Sequence, residues 1–225
     1  MSDDVQSDAL DALTGLLSRK GLNALIADFD SRPGDNGAHV GVVLADVDHL
    51  LMVNDAYGHA YGDQALAEVA RRIGLVAPAG SCVARLGGDE FALLLPVVRE
   101  VAEVQDAARA ILRAFDTPFA AHEIHLAGGN YAEVLAAVDR ARLLPGGPNE
   151  NDVRDVNRMV LNLVAPTMTV SPSTTTIDLR LSLGVAFVER GHAQAGLHDA
   201  DTAMYEAKRL GRSRAVCLVP EWVAQ

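Results

Sequence analysis

Only two cysteines, Cys82 and Cys217, occur in the 225 residues, with no CxxC pair and no histidine cluster beside them. That excludes a disulfide framework and a structural zinc site, and it fits a reducing compartment. Aromatic residues make up 4% of the chain, too few for the stacking platforms that grip single-stranded nucleic acid. There is no polybasic run, and 30 acidic against 19 basic residues give a net charge of −11, which repels a phosphate backbone. No apolar run approaches the roughly 18 residues that span a bilayer. The acidic start, MSDDVQSDAL, has neither part of a secretory signal. The expectation is a cytoplasmic protein that engages neither membrane nor nucleic acid.

What is present is globular composition, 49% hydrophobic and 22% charged, in a length that predicts one domain or a domain and a half. Apolar residues recur at helix spacing from Asp11 to Phe29. The run His39–Val47 is short, β-branched and apolar, and it ends among carboxylates, which predicts a buried strand with acids at its tip. Asp63 opens a stripe of Leu66, Val69, Ala70 and Ile73, a helix with one buried face. Two β runs, Cys82–Leu86 and Phe91–Pro96, flank Gly87-Gly88-Asp89-Glu90, and the paired glycines predict a tight antiparallel hairpin. A second amphipathic helix is expected over Val101–Phe115, strands over 122–126 and 177–188, and a closing helix over Asp201–Leu210 with Gly211 as its stop. Between those strands, stretches around Asn130–Val138 and Val153–Leu163 read as two helices joined by PGGPNEND, a small inserted unit.

Three groups of residues carry chemistry. Asp46 and Asp48 at the strand end, with Asp89 and Glu90 in the hairpin, are hard oxygen ligands suited to Mg²⁺ if the strands are neighbours, and equally suited to solvated turns if they are not. Asn54 and Asp63 have the groups to read a guanine edge, since a carboxylate accepts from N1–H and the exocyclic amine together. The same Asp63 would serve as a helix N-cap, and Asn54 as a turn residue. Lys208 and Arg212, four apart, could grip one anion or complement a helix dipole.

Taken together these stretches resemble the GGDEF family of diguanylate cyclases. DALTGL (11–16) is similar to the family's opening motif, ADVDHLLMVNDAYGHAYGD (45–63) to its metal and guanine segment, and ARLGGDEFALLLP (84–96) to its signature hairpin. LSLGVA (181–186) and ADTAMYEAKRLGR (200–212) are similar to its closing strand and helix. The resemblance implies a palm-like α+β fold of the nucleotide cyclase and ferredoxin-like kind, with a mostly antiparallel central sheet flanked by helices. It spans a single domain, 1–225, with a helical insertion at about 127–175. It also implies condensation of two GTP into cyclic di-GMP and pyrophosphate by a homodimer whose two sites face each other.

Carried over to this sequence, Asp46, the Val47 carbonyl and Asp89 hold Mg²⁺ or Mn²⁺, with Glu90 close by, and Asp89 or Glu90 assists deprotonation of the ribose 3′-hydroxyl. Asn54 and Asp63 read guanine and His59 lies near the nucleotide. The amides around His49 and Leu50, with Lys208 and Arg212, cradle the β- and γ-phosphates. The chain departs from the family at Leu50-Leu51, where Phe-Lys is usual, which implies reduced turnover or a GTP-binding regulator. It also departs at Pro78-Ala79-Gly80-Ser81, which occupies the place of the RxxD product-inhibition motif. The insertion offers a dimer contact or other protein-partner surface, a cover for the site, or a tolerated loop.

Overall fold

The structure, a computed structural model, describes residues 9–31, 39–126 and 168–218. The chain divides into two compact units, Met1–Phe119 with Thr176–Gln225, and Ala120–Thr175. In chain order the elements are β1 (Leu17–Ser18), α1 (Arg19–Ser31), β2 (His39–Asp48), α2 (Leu50–Tyr57), α3 (His59–Val76), β3 (Cys82–Gly87) and β4 (Glu90–Val98). They continue with α4 (Val101–Ala114), β5 (Phe119–Leu126), β6 (Met168–Ile177), β7 (Arg180–Glu189), α5 (Ala193–Arg209) and β8 (Ala215–Leu218). The first unit holds a six-stranded sheet in the order β1-β3-β4-β2-β7-β8, and β5 pairs with β6 in a sheet of two. The pairs within β3-β4-β2-β7 are antiparallel, while β1 on β3 and β8 on β7 run parallel. This is the α+β sheet flanked by helices that the sequence leads one to expect.

β2 is the central strand and is buried on both faces along nearly its whole length, so it reads as a continuous apolar run. Val40, Val42 and Leu44 point to one face, where they cluster with Leu22 and Ile26 of α1 and with Ala200 and Met204 of α5. α4 packs on the sheet with Val104, Ala107, Ala108 and Ile111 buried, and its start is fixed by a reciprocal capping box between Glu100 and Glu103. Burying side chains such as Phe91 or Ile111 in full contributes about 1.5–3 kcal/mol each. α5 lies so close on β7 that a Cβ at Gly184 would collide with the Ala200 carbonyl and the Met204 backbone. That contact sets how closely the middle of α5 sits on β7.

Four expectations are corrected. Residues 11–16 form a turn and not a helix, because the Asp11 carboxylate accepts from the Thr14 N–H at 2.9 Å and its hydroxyl at 2.6 Å, and Gly15 takes φ 68°. The helix expected from Asp63 begins at His59 and is preceded by another, α2, so the stretch holding Asn54, Gly58 and Gly62 is helical on both sides of Gly58. The single strand expected over 177–188 is broken at Asp178-Leu179 between β6 and β7. The closing helix starts at Ala193, since Ala193, Gly196 and Ala200 extend its buried stripe N-terminally. The two helices expected in the insertion lie outside the described residues.

Candidate active site

At its C-terminal end β2 carries Asp46 and Asp48 on the face that α5 covers, continuing the alternation of Val42 and Leu44. Register places Asp46 directly opposite Glu90 of β4 and Ser182 of β7, and Asp48 opposite Arg180. The two aspartates, alike in sequence, have different tasks. Asp48 accepts from the Ser182 hydroxyl at 2.7 Å and from the Ser213 backbone N–H at 3.1 Å, with Arg212 Nε at 3.8 Å. It thereby fastens the loop after α5, where Gly211, Arg212 and Ser213 all take positive φ. Asp46 instead meets one cation, Lys208, whose Nζ lies 2.7 Å from its Oδ2. Burial pushes the Asp46 carboxyl above the ordinary aspartate range, the Lys208 ammonium pulls it back, and the charges of Asp89 and Asp48 push it up again.

The hairpin that brings Asp89 to this point is held from three sides. Gly87 and Gly88, at φ 134° and 55°, make the turn, as only glycine does readily. The Asp89 carbonyl accepts from Val47 N–H at 3.1 Å, tying the turn to the end of β2. The Arg85 guanidinium donates to the Gly88 carbonyl through Nε and Nη2 (3.1 and 2.8 Å) and to the Asp11 carboxylate through Nη1 (3.1 and 3.2 Å). Arg19 donates to the Leu86 carbonyl at 2.9 Å and pairs with Glu90 Oε2 at 3.2 Å. Glu90 is therefore beside Asp46 and engaged by a neighbouring cation. Arg19, Arg85, Ser182 and Ser213 organise this end of the sheet, and sequence reasoning had not singled them out.

β2 gives way to α2 at His49, a non-glycine residue with φ 63°, so the chain turns sharply from strand into helix, and no side chain caps the first amides of α2. Leu50 is buried beneath that turn, whereas Leu51 is 70% exposed. Asn54 comes from α2, and its amide oxygen occupies the space a Cβ at Gly62 would need. Asp63 follows as the fifth residue of α3, exposed, and His59 is the first. Asn54 is thus a helix residue and not a turn residue, and Asp63 is not an N-cap, since its helix starts four residues earlier. The two are adjacent through Gly62. Lys208 lies in the last turn of α5, where its charge also suits the helix dipole.

Among the described residues no group of three or more His, Cys, Asp and Glu side chains converges on one point. A cation held here would take two carboxylates, Asp46 and Asp89, and the rest of its oxygens from a backbone carbonyl, phosphate and water. That donor set fits Mg²⁺, which keeps water and substrate oxygens in its shell, and does not fit zinc. One cavity of about 620 Å³ opens beside it between α2 and the loop after α5. Two more, of about 360 and 300 Å³, run along α5 and share Glu90, Asp201 and Met204.

A mostly antiparallel sheet with helices on its faces, and with carboxylates gathered at a strand end and a Gly-Gly hairpin, defines the palm-like α+β class of nucleotide cyclases. Within that class the chain belongs to the GGDEF family: residues 8–131 match the family described as Diguanylate cyclase, GGDEF domain. It is 36% identical over 119 residues to Diguanylate cyclase DgcN of Escherichia coli, covering 51% of this chain and 28% of that protein. The GGDEF domain of PA1120 (YfiN or TpbB) from Pseudomonas aeruginosa has a similar structure, with a TM-score of 0.64, 25% identity and coverage of 92% and 99% of the two chains. So does the GGDEF domain of DgcB from Caulobacter crescentus in complex with c-di-GMP, with a TM-score of 0.59, 25% identity and coverage of 93% and 95%. The chain spans less than half the length of the curated relatives it matches. Among the described residues no helix is long and apolar enough to cross a membrane.

Proposed function

We propose that this chain is a diguanylate cyclase that condenses two GTP into cyclic di-GMP and two pyrophosphates. Each step forms a bond from a ribose 3′-oxygen to the α-phosphorus of the other nucleotide and breaks the bond from that phosphorus to the pyrophosphate oxygen. The proton of the 3′-hydroxyl leaves to Asp89 or Glu90. The observation that carries the reading is that the Asp89-Glu90 hairpin is tied to the end of β2 beside Asp46, with Lys208 against Asp46. Asp46, the Val47 carbonyl and Asp89, with Glu90 near, would hold Mg²⁺ or Mn²⁺, which when bound supplies charge neutralisation and Lewis acidity to the phosphates.

The chain's own groups then divide the work. Asn54 and Asp63, side by side across Gly62, read the guanine edge, and His59 lies beside the nucleotide. The amides after His49, with Lys208 and Arg212, hold the β- and γ-phosphates, so Lys208 exchanges its bond to Asp46 for a phosphate oxygen as nucleotide and cation arrive. One chain has one such site, so two must face each other in a homodimer, which turns a bimolecular attack into a nearly intramolecular one. The names of DgcN and of the DgcB complex with c-di-GMP agree with this chemistry. A second reading, a GTP-binding regulator without turnover, is favoured by the exposed Leu51 where the family carries lysine.

Incubation with GTP and Mg²⁺ or Mn²⁺ across protein concentrations, with products resolved by mass spectrometry, separates the readings. Cyclic di-GMP rising faster than linearly with protein, and lost in Asp89→Ala, is the result expected of a dimeric cyclase. GTP binding without product leaves the regulator, and no binding of GTP overturns both.

A further inference from the structure

The cavity of about 620 Å³ is lined by Met52, Val53 and Ala56 of α2, by Thr176, Ile177, Asp178 and Arg180 and by the loop after α5. Two guanidiniums stand in its wall, Arg212 from that loop and Arg180 from the first residue of β7. Both flank Asp48: Arg180 is its direct partner across the β2–β7 ladder, and Arg212 Nε lies 3.8 Å from its Oδ1. Asp48 carries a single negative charge and so balances at most one of the two guanidiniums, while its oxygens also accept from the Ser182 hydroxyl and the Ser213 N–H. Lys208 lies one step along the same strand end, on Asp46. Three cations thus lie about the C-terminal end of β2, Arg180 and Arg212 in the cavity wall beside Asp48 and Lys208 on Asp46.

Arg180 does have a partner, Asp178, with Nη2 and Oδ2 3.1 Å apart and the two side chains 44% and 56% exposed. An exposed pair of this kind is weak and yields to an anion of higher charge, above all one that a planar guanidinium can grip with two bonds. Met52, Val53, Ala56 and Ile177 line the cavity with apolar side chains beside this pair.

We propose that Arg180 is a third cation of the triphosphate site, which leaves Asp178 to bind the terminal phosphates beside Arg212 and Lys208. The role presupposes a nucleoside triphosphate and therefore rests on the function proposed above.

Calorimetry of the full chain with GTP, and separately with inorganic tripolyphosphate, both in the presence of Mg²⁺, tests it. Arg180→Gln is expected to weaken both ligands at least about tenfold with an unchanged melting temperature, and Arg180→Lys to restore part of the loss. Asp178→Asn frees Arg180 and is expected to tighten both ligands about two- to fivefold, a gain that a merely structural role would not produce. Unchanged affinity in Arg180→Gln overturns the proposal and leaves the GTP reading standing. So does a loss accompanied by a lowered melting temperature in Arg180→Gln together with no gain in Asp178→Asn. If the unaltered protein binds neither GTP nor tripolyphosphate, the GTP reading fails and Arg180's role falls with it.

Discussion

Arg72, in the middle of α3, and Asp46, at the end of β2, are buried to nearly the same degree, 8% and 7% exposed, yet their surroundings differ in kind. Arg72 donates to Glu68 at 2.7 Å, to the carbonyls of Ala114 and Pro118 at 2.9 and 3.3 Å and to that of Thr117, and its guanidinium lies 5.4 Å from the Phe115 ring centroid. Those partners belong to the chain itself, so the charge is closed and clamps α3 to the end of α4. Asp46 has one cation, on a partly exposed side chain, and two other carboxylates in its field. Arg72 finds its partners within the fold, whereas Asp46 is left with a deficit that the proposed cation would make good.

That difference can be broken by two substitutions. Asp46→Asn is expected to lower cyclic di-GMP formation by more than the about hundredfold lost when a group that only supports a metal ligand is removed. Its melting temperature should stay level or rise, because like-charge repulsion disappears with the carboxylate. Arg72→Met is expected to do the reverse. It leaves three carbonyls without their donor, although Glu68 keeps Arg71, costs about 3 kcal/mol and lowers the melting temperature by roughly 10 °C, with GTP affinity of the folded fraction unchanged. A thermal melt and a product assay on both variants decide the matter. A destabilised Asp46→Asn, or an Arg72→Met that melts normally, would erase the distinction.

Legibility in the sequence follows the same division between local and distant partners. The hairpin could be read because two adjacent glycines dictate its turn, and β2 because a short β-branched apolar run that stops at acids has the length and composition of a buried strand. The positions of Asn54 and Asp63 could not. Asn54, Asp55, Gly58 and Gly62 are turn-favouring residues within nine positions, and packing of α2 against α3 overrode that local preference. Arg85 sits inside the signature stretch, yet its partner Asp11 is 74 residues away, and Asp48 and Ser182 are 134 apart. No spacing rule connects them. The division between Asp46 and Asp48 is invisible for the same reason: it is made by α5 and β7, which reach the strand from far along the chain.

Acid sharpens the contrast from the side of the closed charges. Hydrogen bonds from Arg71 hold Glu68 below the ordinary glutamate range against the opposing effect of burial, and Arg72 adds to them. Burial pushes Asp11 up, but the hydrogen bonds from Thr14 and the Arg85 guanidinium outweigh it and leave that carboxyl below its usual range. Both groups bind protons less readily folded than unfolded. Their stabilisation is complete above the unfolded values of about 4 and is lost as pH falls through the lower folded values. Melting temperatures taken down a pH series should therefore drop progressively below about pH 4, and less steeply in Glu68→Gln. Equal slopes in the two proteins would mean that Glu68 contributes nothing to acid sensitivity.

The smallest effect expected is at Leu51, where the family resemblance leads one to expect lysine. If the phosphates depended on a cation at that position, Leu51→Lys would raise turnover strongly. Leu51 is exposed and is not part of the cavity wall, whereas Arg180 is. With Arg180 already in place, Leu51→Lys should change turnover by less than about threefold, the range of exposed charge effects. In an Arg180→Gln background the same lysine should recover more than it adds alone, because the two cations then serve one anion and their effects do not add. A double-mutant cycle on steady-state rates reads this directly. Additive changes would mean that positions 51 and 180 act on different groups, and a large gain from Leu51→Lys alone would return the missing lysine to the centre of the site's deficit.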